Sequence, residues 1–295
     1  MKKILSTLAL SSLVLLTTGC SDFLEEENHS NVMQDFMATP SGFSMALNSV
    51  YANVRSTYSA EEGIHGLMNP GTDELKNNIG GSNRCADLAN YDLEKYNANN
   101  EYPRKLWNDA YIHINTLNYM IENAAKVDVT TTALTAAQRD QYLGEAYFMR
   151  AFSYFMLANL YGKPYHPATA NEDLCVPLNK EIGLSDKMMK RATNAAVYAQ
   201  MEEDINKAIQ CFKAIGGEKT IFRPNLPSAY LLASRIALFQ EKYDETILYC
   251  DSVFKVATQP LYKLQEKKDH YFFSLANKEI LLSYGLTSLE THMKE

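Results

Sequence analysis

From Ser41 onward, apolar residues recur at intervals of three and four. Phe43, Ala46, Leu47, Val50, Tyr51 and Val54 share one side of a 3.6-residue period. That predicts an amphipathic helix with Ser41 as its N-cap. The period then breaks. Residues 60–103 hold five glycines, two prolines and the Asn-rich run "NPGTDELKNNIGGSNRCADLANYDLEKYNANNEYP". A long irregular insertion within a compact domain is usually functional or disordered. A second helix is expected over "RKLWNDAYIHINTLNYMIENAAKV", with Leu106, Trp107, Ala110, Ile114, Leu117 and Ile121 on one side.

The strongest segment is "TAAQRDQYLGEAYFMRAFSYFMLANLYGKPY". Tyr142, Leu143, Ala146, Tyr147, Met149, Ala151, Phe152, Phe155, Met156 and Leu160 crowd nearly all round it, the pattern of a central helix. Phe152 and Phe155 are both expected to be buried. Gly162 and Pro164 read as its stop signal. After a loop to about residue 190 come "NAAVYAQMEEDINKAIQCF" and "NLPSAYLLASRIALFQEKYDETILYCDSVF". In the latter, Ala229, Ala233 and Ala237 alternate with bulky residues, and Glu241 to Asp244 form a short link. This is a helix-turn-helix unit with the size and small-residue pattern of a tetratricopeptide repeat. Strand signals are weak throughout. The expected fold is all-α: stacked helical hairpins over 41–295, interrupted by the 60–103 insertion.

The N-terminus reads differently. Lys2 and Lys3 precede an apolar run from Ile4 to Leu16, the layout of a secretory signal peptide over 1–19. The run is shorter than the ~20 residues a transmembrane helix needs. Thr17-Thr18-Gly19-Cys20 resembles the bacterial lipobox, with Thr17 where Leu is usual. Cys20 is therefore the expected lipid-attachment residue. Ser21, Asp22, Glu25, Glu26 and Glu27 resemble the acidic surface-export signal of Bacteroidetes lipoproteins; a solvated tether over 20–40 is compatible with that. Acyl chains bury roughly 0.8 kcal/mol per CH₂, so several together anchor stably. The expected location is the cell outer membrane, lipid-anchored and surface-exposed.

Loss of Lys2 and Lys3 takes the formal net charge from −7 to −9. With no basic stripe, nucleic acid is excluded as a partner, because its phosphates need clustered Lys and Arg. Cys85, Cys175, Cys211 and Cys250 form no CxxC and no zinc spacing; thiols are expected, and no metal or cofactor. The acid pairs Glu61-Glu62, Glu172-Asp173 and Glu202-Glu203 are adjacent in sequence. Neighbouring side chains point apart, so none defines an acid and a nucleophile facing one glycosidic bond. The histidines at 29, 65, 113, 166, 270 and 292 make no HExxH or Ser-His-Asp signature. Nothing argues for an enzyme. Trp107 is expected to pack in the core. Glu145 and Arg150, in the central helix, are expected to join hydrogen-bonding networks between helices, because lone buried charges are costly.

Several of these segments together resemble the SusD/RagB family of outer-membrane lipoproteins. "CSDFL" from Cys20 to Leu24 matches its N-terminal motif, and Trp107, Tyr111, Ile114 and Asn118 match a second. The most specific signature is met by Gly144, Glu145, Ala146, Phe148, Arg150, Ala151, Tyr154, Phe155, Leu157, Tyr161 and Gly162. Tyr198, Asp204 and Ala208 follow, then "NKEI" at Asn277 to Ile280. The resemblance implies a tetratricopeptide-containing body that binds oligosaccharide, or peptide in some members, and acts as a lid on a SusC-like TonB-dependent transporter. Members of the family run to about twice this length, so weak or undetectable glycan binding is expected of residues 20–295 alone.

Sugar rings stack on aromatic rings, and their hydroxyls bond to Asp, Asn, Lys or Arg. Asp73, Asn77, Asn78, Arg84, Tyr91 and Tyr96 in the insertion offer both; the other reading of each is a solvated loop residue or turn cap. Two functions stay open: a glycan-capturing nutrient-uptake lipoprotein, or a helical-repeat scaffold (or binding-impaired family member) whose partner is a protein. A glycoside hydrolase is the third reading.

Overall fold

A computed structural model describes residues 35–58, 101–130, 133–182, 189–216, 221–256 and 281–282. The chain divides into Met1–Phe36 and Met37–Glu295, and the second unit is described below. Among the described residues its helices are α1 (Pro40–Tyr58), α2 (Glu101–Asn123), α3 (Ala136–Tyr161), α4 (Asn194–Ile215), α5 (Leu226–Phe239) and α6 (Tyr243–Val256). A 3₁₀ turn, Ala124–Lys126, follows α2. The all-α expectation holds, with one addition among the described residues. Strands β1 (Leu174–Pro177) and β2 (Arg191–Thr193) pair antiparallel, Leu174 opposite Thr193 and Pro177 opposite Arg191.

Helix starts follow local chemistry. α1 is capped by Thr39 and not by Ser41: the Thr39 hydroxyl accepts the Gly42 N–H at 3.0 Å. Pro40 then sits at the first helical position, where its missing N–H costs nothing. Met37 is already buried, so packed chain begins before the expected end of the tether at residue 40. α2 likewise takes in residues 101–103, expected in the insertion. Thr135 and Gln138 close a capping box on α3, and Asn225 and Ser228 do so on α5. The link between α5 and α6 is Gln240 to Lys242, with Glu241 at φ +63°.

α3 is the central helix and packs most extensively on α4, then on α2. Gly144 permits the α3–α4 approach: a Cβ there would lie 2.8 Å from Cys211 Cβ. Gly162 does end α3, but by lack of bulk. Its φ is −84°, and a Cβ would lie 2.6 Å from the Ala158 carbonyl oxygen and 2.8 Å from Cys175 Sγ. Phe155 is buried while Phe152 is only partly so. Phe152, Met156 and Asn159 form the less covered line along α3, so apolarity all round does not become burial all round. One apolar core runs from Met37 to Val253 through all six helices.

Candidate functional site

Five of the motif residues, Asn118, Glu145, Arg150, Tyr154 and Asp204, fall in two buried polar networks. In the first, Arg150 of α3 donates to both Asp204 oxygens of α4, Nε at 2.8 Å and Nη2 at 2.6 Å. Its Nη1 donates to Asn118 of α2 at 2.9 Å, and Gln200 donates to Asp204 at 3.0 Å. Burial opposes charge on Arg150, but the Asp204 contacts hold its guanidinium above its ordinary pKa. Asn118 also donates to the Asn179 and Glu181 carbonyls at 3.2 and 3.1 Å. The Tyr154 hydroxyl donates to the Asn179 carbonyl at 2.7 Å and accepts the Asn179 N–H at 2.9 Å. Three helices and the segment after β1 are thereby joined at one point.

The second network centres on Glu145, fully buried. It accepts from Gln141 at 2.8 Å, from Arg223 at 3.0 and 3.3 Å, and from the Tyr51 hydroxyl of α1. Burial raises the Glu145 carboxyl above the ordinary range, while Arg223, Tyr51 and Gln141 pull it back. The Arg223 guanidinium lies 4.8 Å from the Tyr142 ring centroid and 5.9 Å from that of Tyr51. Arg223 escapes sequence reading, since it lies in a short link outside any periodic pattern. Its one signal is the adjacent Pro-Asn at the α5 cap.

Trp107 packs among aromatic rings, its centroid 5.0 Å from Tyr111 and 5.1 Å edge-on from Tyr161. Tyr111 donates to the Pro177 carbonyl and Tyr161 to the Pro103 carbonyl, each at 2.7 Å. These contacts bind α2, α3 and β1 together. His113 is buried with no hydrogen-bond partner for either ring nitrogen among the described residues. Burial pushes its pKa down to about 4.

A cleft of about 180 Å³ opens between α4, α5 and α6. Glu202, Asn206, Lys242, Glu245 and Tyr249 line it over Ile205, Ala233, Ile236 and Ala237, and Lys242 pairs with Glu202. Its volume is below the ~300 Å³ at which pockets for drug-sized ligands begin. It is too small for an oligosaccharide.

Glu61-Glu62 lies outside the described residues, and the Glu202-Glu203 pair diverges as its adjacency implies. Glu202 meets Lys242 while Glu203 meets Lys207 at 2.6 Å, and Asp173 is held by Lys163 and Thr169, each at 2.6 Å. Among the described residues no three His, Cys, Asp or Glu side chains gather as a metal site. Nor is any helix there long and apolar enough to cross a membrane. Cys175, Cys211 and Cys250 are free thiols. The expected lipid and export residues, Cys20 to Glu27, lie outside the described residues. So do Asp73, Asn77, Asn78, Arg84, Tyr91 and Tyr96.

SusD-like protein P2 of Formosa agariphila is 28% identical over 158 residues, covering 52% of this chain and 29% of the relative. A SusD-like carbohydrate binding protein from Bacteroides vulgatus superposes with a TM-score of 0.68 at 17% identity, covering 84% of this chain and 51% of its own. A laminarin binding SusD-like protein gives 0.58 at 23% identity, covering 75% and 45%. The chain thus spans under a third of the curated relative and about half of these solved structures. The structural likenesses show the fold. Membership comes from the sequence: the SusD-like family model described as "Starch-binding associating with outer membrane" matches residues 22–238, and the chain belongs to that family.

Proposed function

We propose that this protein is a lipid-anchored outer-membrane lipoprotein that captures glycan for uptake by a SusC-like TonB-dependent transporter. The match of residues 22–238 to the starch-binding, outer-membrane family carries the reading. The laminarin binding neighbour adds support for an oligosaccharide ligand. Capture on this reading rests on stacking and hydrogen bonding, without covalent chemistry. Cys20 carries the acyl chains, and Ser21, Asp22 and Glu25 to Glu27 direct surface export. Asp73, Asn77, Asn78, Arg84, Tyr91 and Tyr96 supply the glycan contacts, and the two buried networks hold the helical frame that presents them.

Calorimetry of the full chain with malto- and laminari-oligosaccharides tests this. Weak, saturable heat with one series and no release of reducing sugar is the expected result. No heat with any glycan, together with co-purification of a transporter, would favour the scaffold reading. Turnover of a labelled glycan would replace both with a hydrolase.

A further inference from the structure

The outward side of α6 is apolar, with Tyr243, Ile247, Leu248 and Phe254 exposed. Its opposite side carries different chemistry. Lys242, Glu245 and Tyr249 are spaced by three and four and so share one face, which forms a wall of the cleft between α4, α5 and α6. The opening has its cause in α5. Ala233 and Ala237 lie one turn apart there with Ile236 between them, and their short side chains leave the space open. Glu202 and Asn206 of α4 complete the rim over Ile205. Every residue lining the cleft is among the described residues.

At about 180 Å³ the cleft has room for one group the size of a side chain, since an apolar cavity of about 150 Å³ takes up a benzene. The apolar floor suits an alkyl stem. The rim is net acidic: Glu202 and Glu245 stand against a single ammonium, and that ammonium, Lys242, is already paired with Glu202. Glu245 is exposed and has no ion-pair partner among the described residues. Tyr249, one turn further along α6, is open in the same sense. The rings of Tyr142, Tyr147 and Tyr230 each have a cation over them, 4.8, 5.3 and 5.6 Å from the centroid, whereas that of Tyr249 has none among the described residues. Burial raises the pKa of the Tyr249 hydroxyl, and Glu245 and Glu202 raise it further while Lys242 opposes them. The field at the hydroxyl is therefore negative. A neutral hydroxyl group gains little from that field, and a protonated amine gains from carboxylate and ring together.

We propose that the cleft binds a protonated primary amine on a short alkyl stem. Its carbons lie over Ile205, Ile236 and the two alanines, and its charge lies between Glu245 and the Tyr249 ring. Such an amine is either free or carried by a lysine side chain. The site is independent of glycan binding. Saturation-transfer NMR on the full chain with n-butylamine, at neutral pH and low salt, tests it. Saturable binding is expected, with 1-butanol roughly tenfold weaker because it keeps the stem and loses the charge. Glu245→Gln should weaken the amine roughly threefold. Lys242→Met removes the competing cation and should strengthen binding by a similar factor, an increase that damage to the fold does not produce. A capped Gly-Lys-Gly peptide that binds more tightly than butylamine identifies a lysine side chain as the source, and weaker binding identifies a free amine. Butanol binding as well as butylamine overturns the proposal. So does butylamine binding that Glu245→Gln leaves unchanged, or no binding of butylamine at all.

Discussion

Around α3 the molecule buries charge, whereas along α6 it exposes apolar surface. Arg150, Asp204 and Glu145 are removed from water, Arg150 donating from all three guanidinium nitrogens and both carboxylates accepting at both oxygens. Removing one partner of such a pair leaves an uncompensated charge in a medium that cannot solvate it. α6 carries large apolar side chains in water, where each change is cheap on its own. The family signature residues sit in the first region because bidentate geometry there tolerates few substitutes. The α5–α6 hairpin needs only small residues on one side and apolar ones on the other.

The largest expected effect is therefore at Arg150. Arg150→Ala should cost about 3–5 kcal/mol in denaturant unfolding. Replacing Arg150 and Asp204 together with Met and Leu should recover much of it, since a matched apolar pair leaves no orphaned charge. Singles that cost no more than an exposed ion pair would erase the contrast between the regions.

His113 should be next. Its folded pKa, about 4, lies below the ordinary ~6.5, so the unfolded chain binds more protons between those values. Stability is full above pH 6.5 and falls as pH drops toward 4. Burial is the main cause; Asp109 opposes it and Lys105 reinforces it. The loss attributable to His113 should reach about 3 kcal/mol. Subtracting the pH profile of His113→Leu isolates it from the carboxylates, and identical profiles would refute it.

Gly144→Ala should cost about 1–3 kcal/mol through overpacking against Cys211 and Phe212. The smallest change belongs to the hairpin. Leu248→Ala should leave stability within roughly 0.5 kcal/mol of the parent, because Leu248 is exposed. A loss comparable to that of Gly144→Ala would mean the α6 face is already covered.

What the sequence made legible was whatever repeats at helical spacing. All six helices and the centrality of α3 follow from period and crowding, and burying Glu145 or Arg150 requires partners on physical grounds. The partners themselves were harder. Asp204 and Asn118 lay in motifs without assigned roles, and Arg223 had no periodic setting at all. Contacts such as Arg223 to Glu145 or Tyr154 to Asn179 join residues far apart in sequence, and local pattern carries no trace of them. The β1–β2 pair is too short for alternation to register. Ser41 and Thr39 are both good caps for α1, and Pro40 at the first helical position decides for Thr39. Phe152 is only half-buried, because α3 is more apolar than it is buried.

We propose that the helices are a frame and that the glycan contacts come from the 60–103 stretch, not from the α4–α6 cleft. Saturation-transfer NMR on the full chain with the oligosaccharide that gives heat tests this directly, and it reads weak binding well. Asp73→Ala and Tyr96→Ala are each expected to abolish the transferred signal, while Glu202→Ala and Tyr249→Ala leave it unchanged. Signal that survives the first two substitutions and disappears with the second two would place the ligand in the cleft and contradict the account.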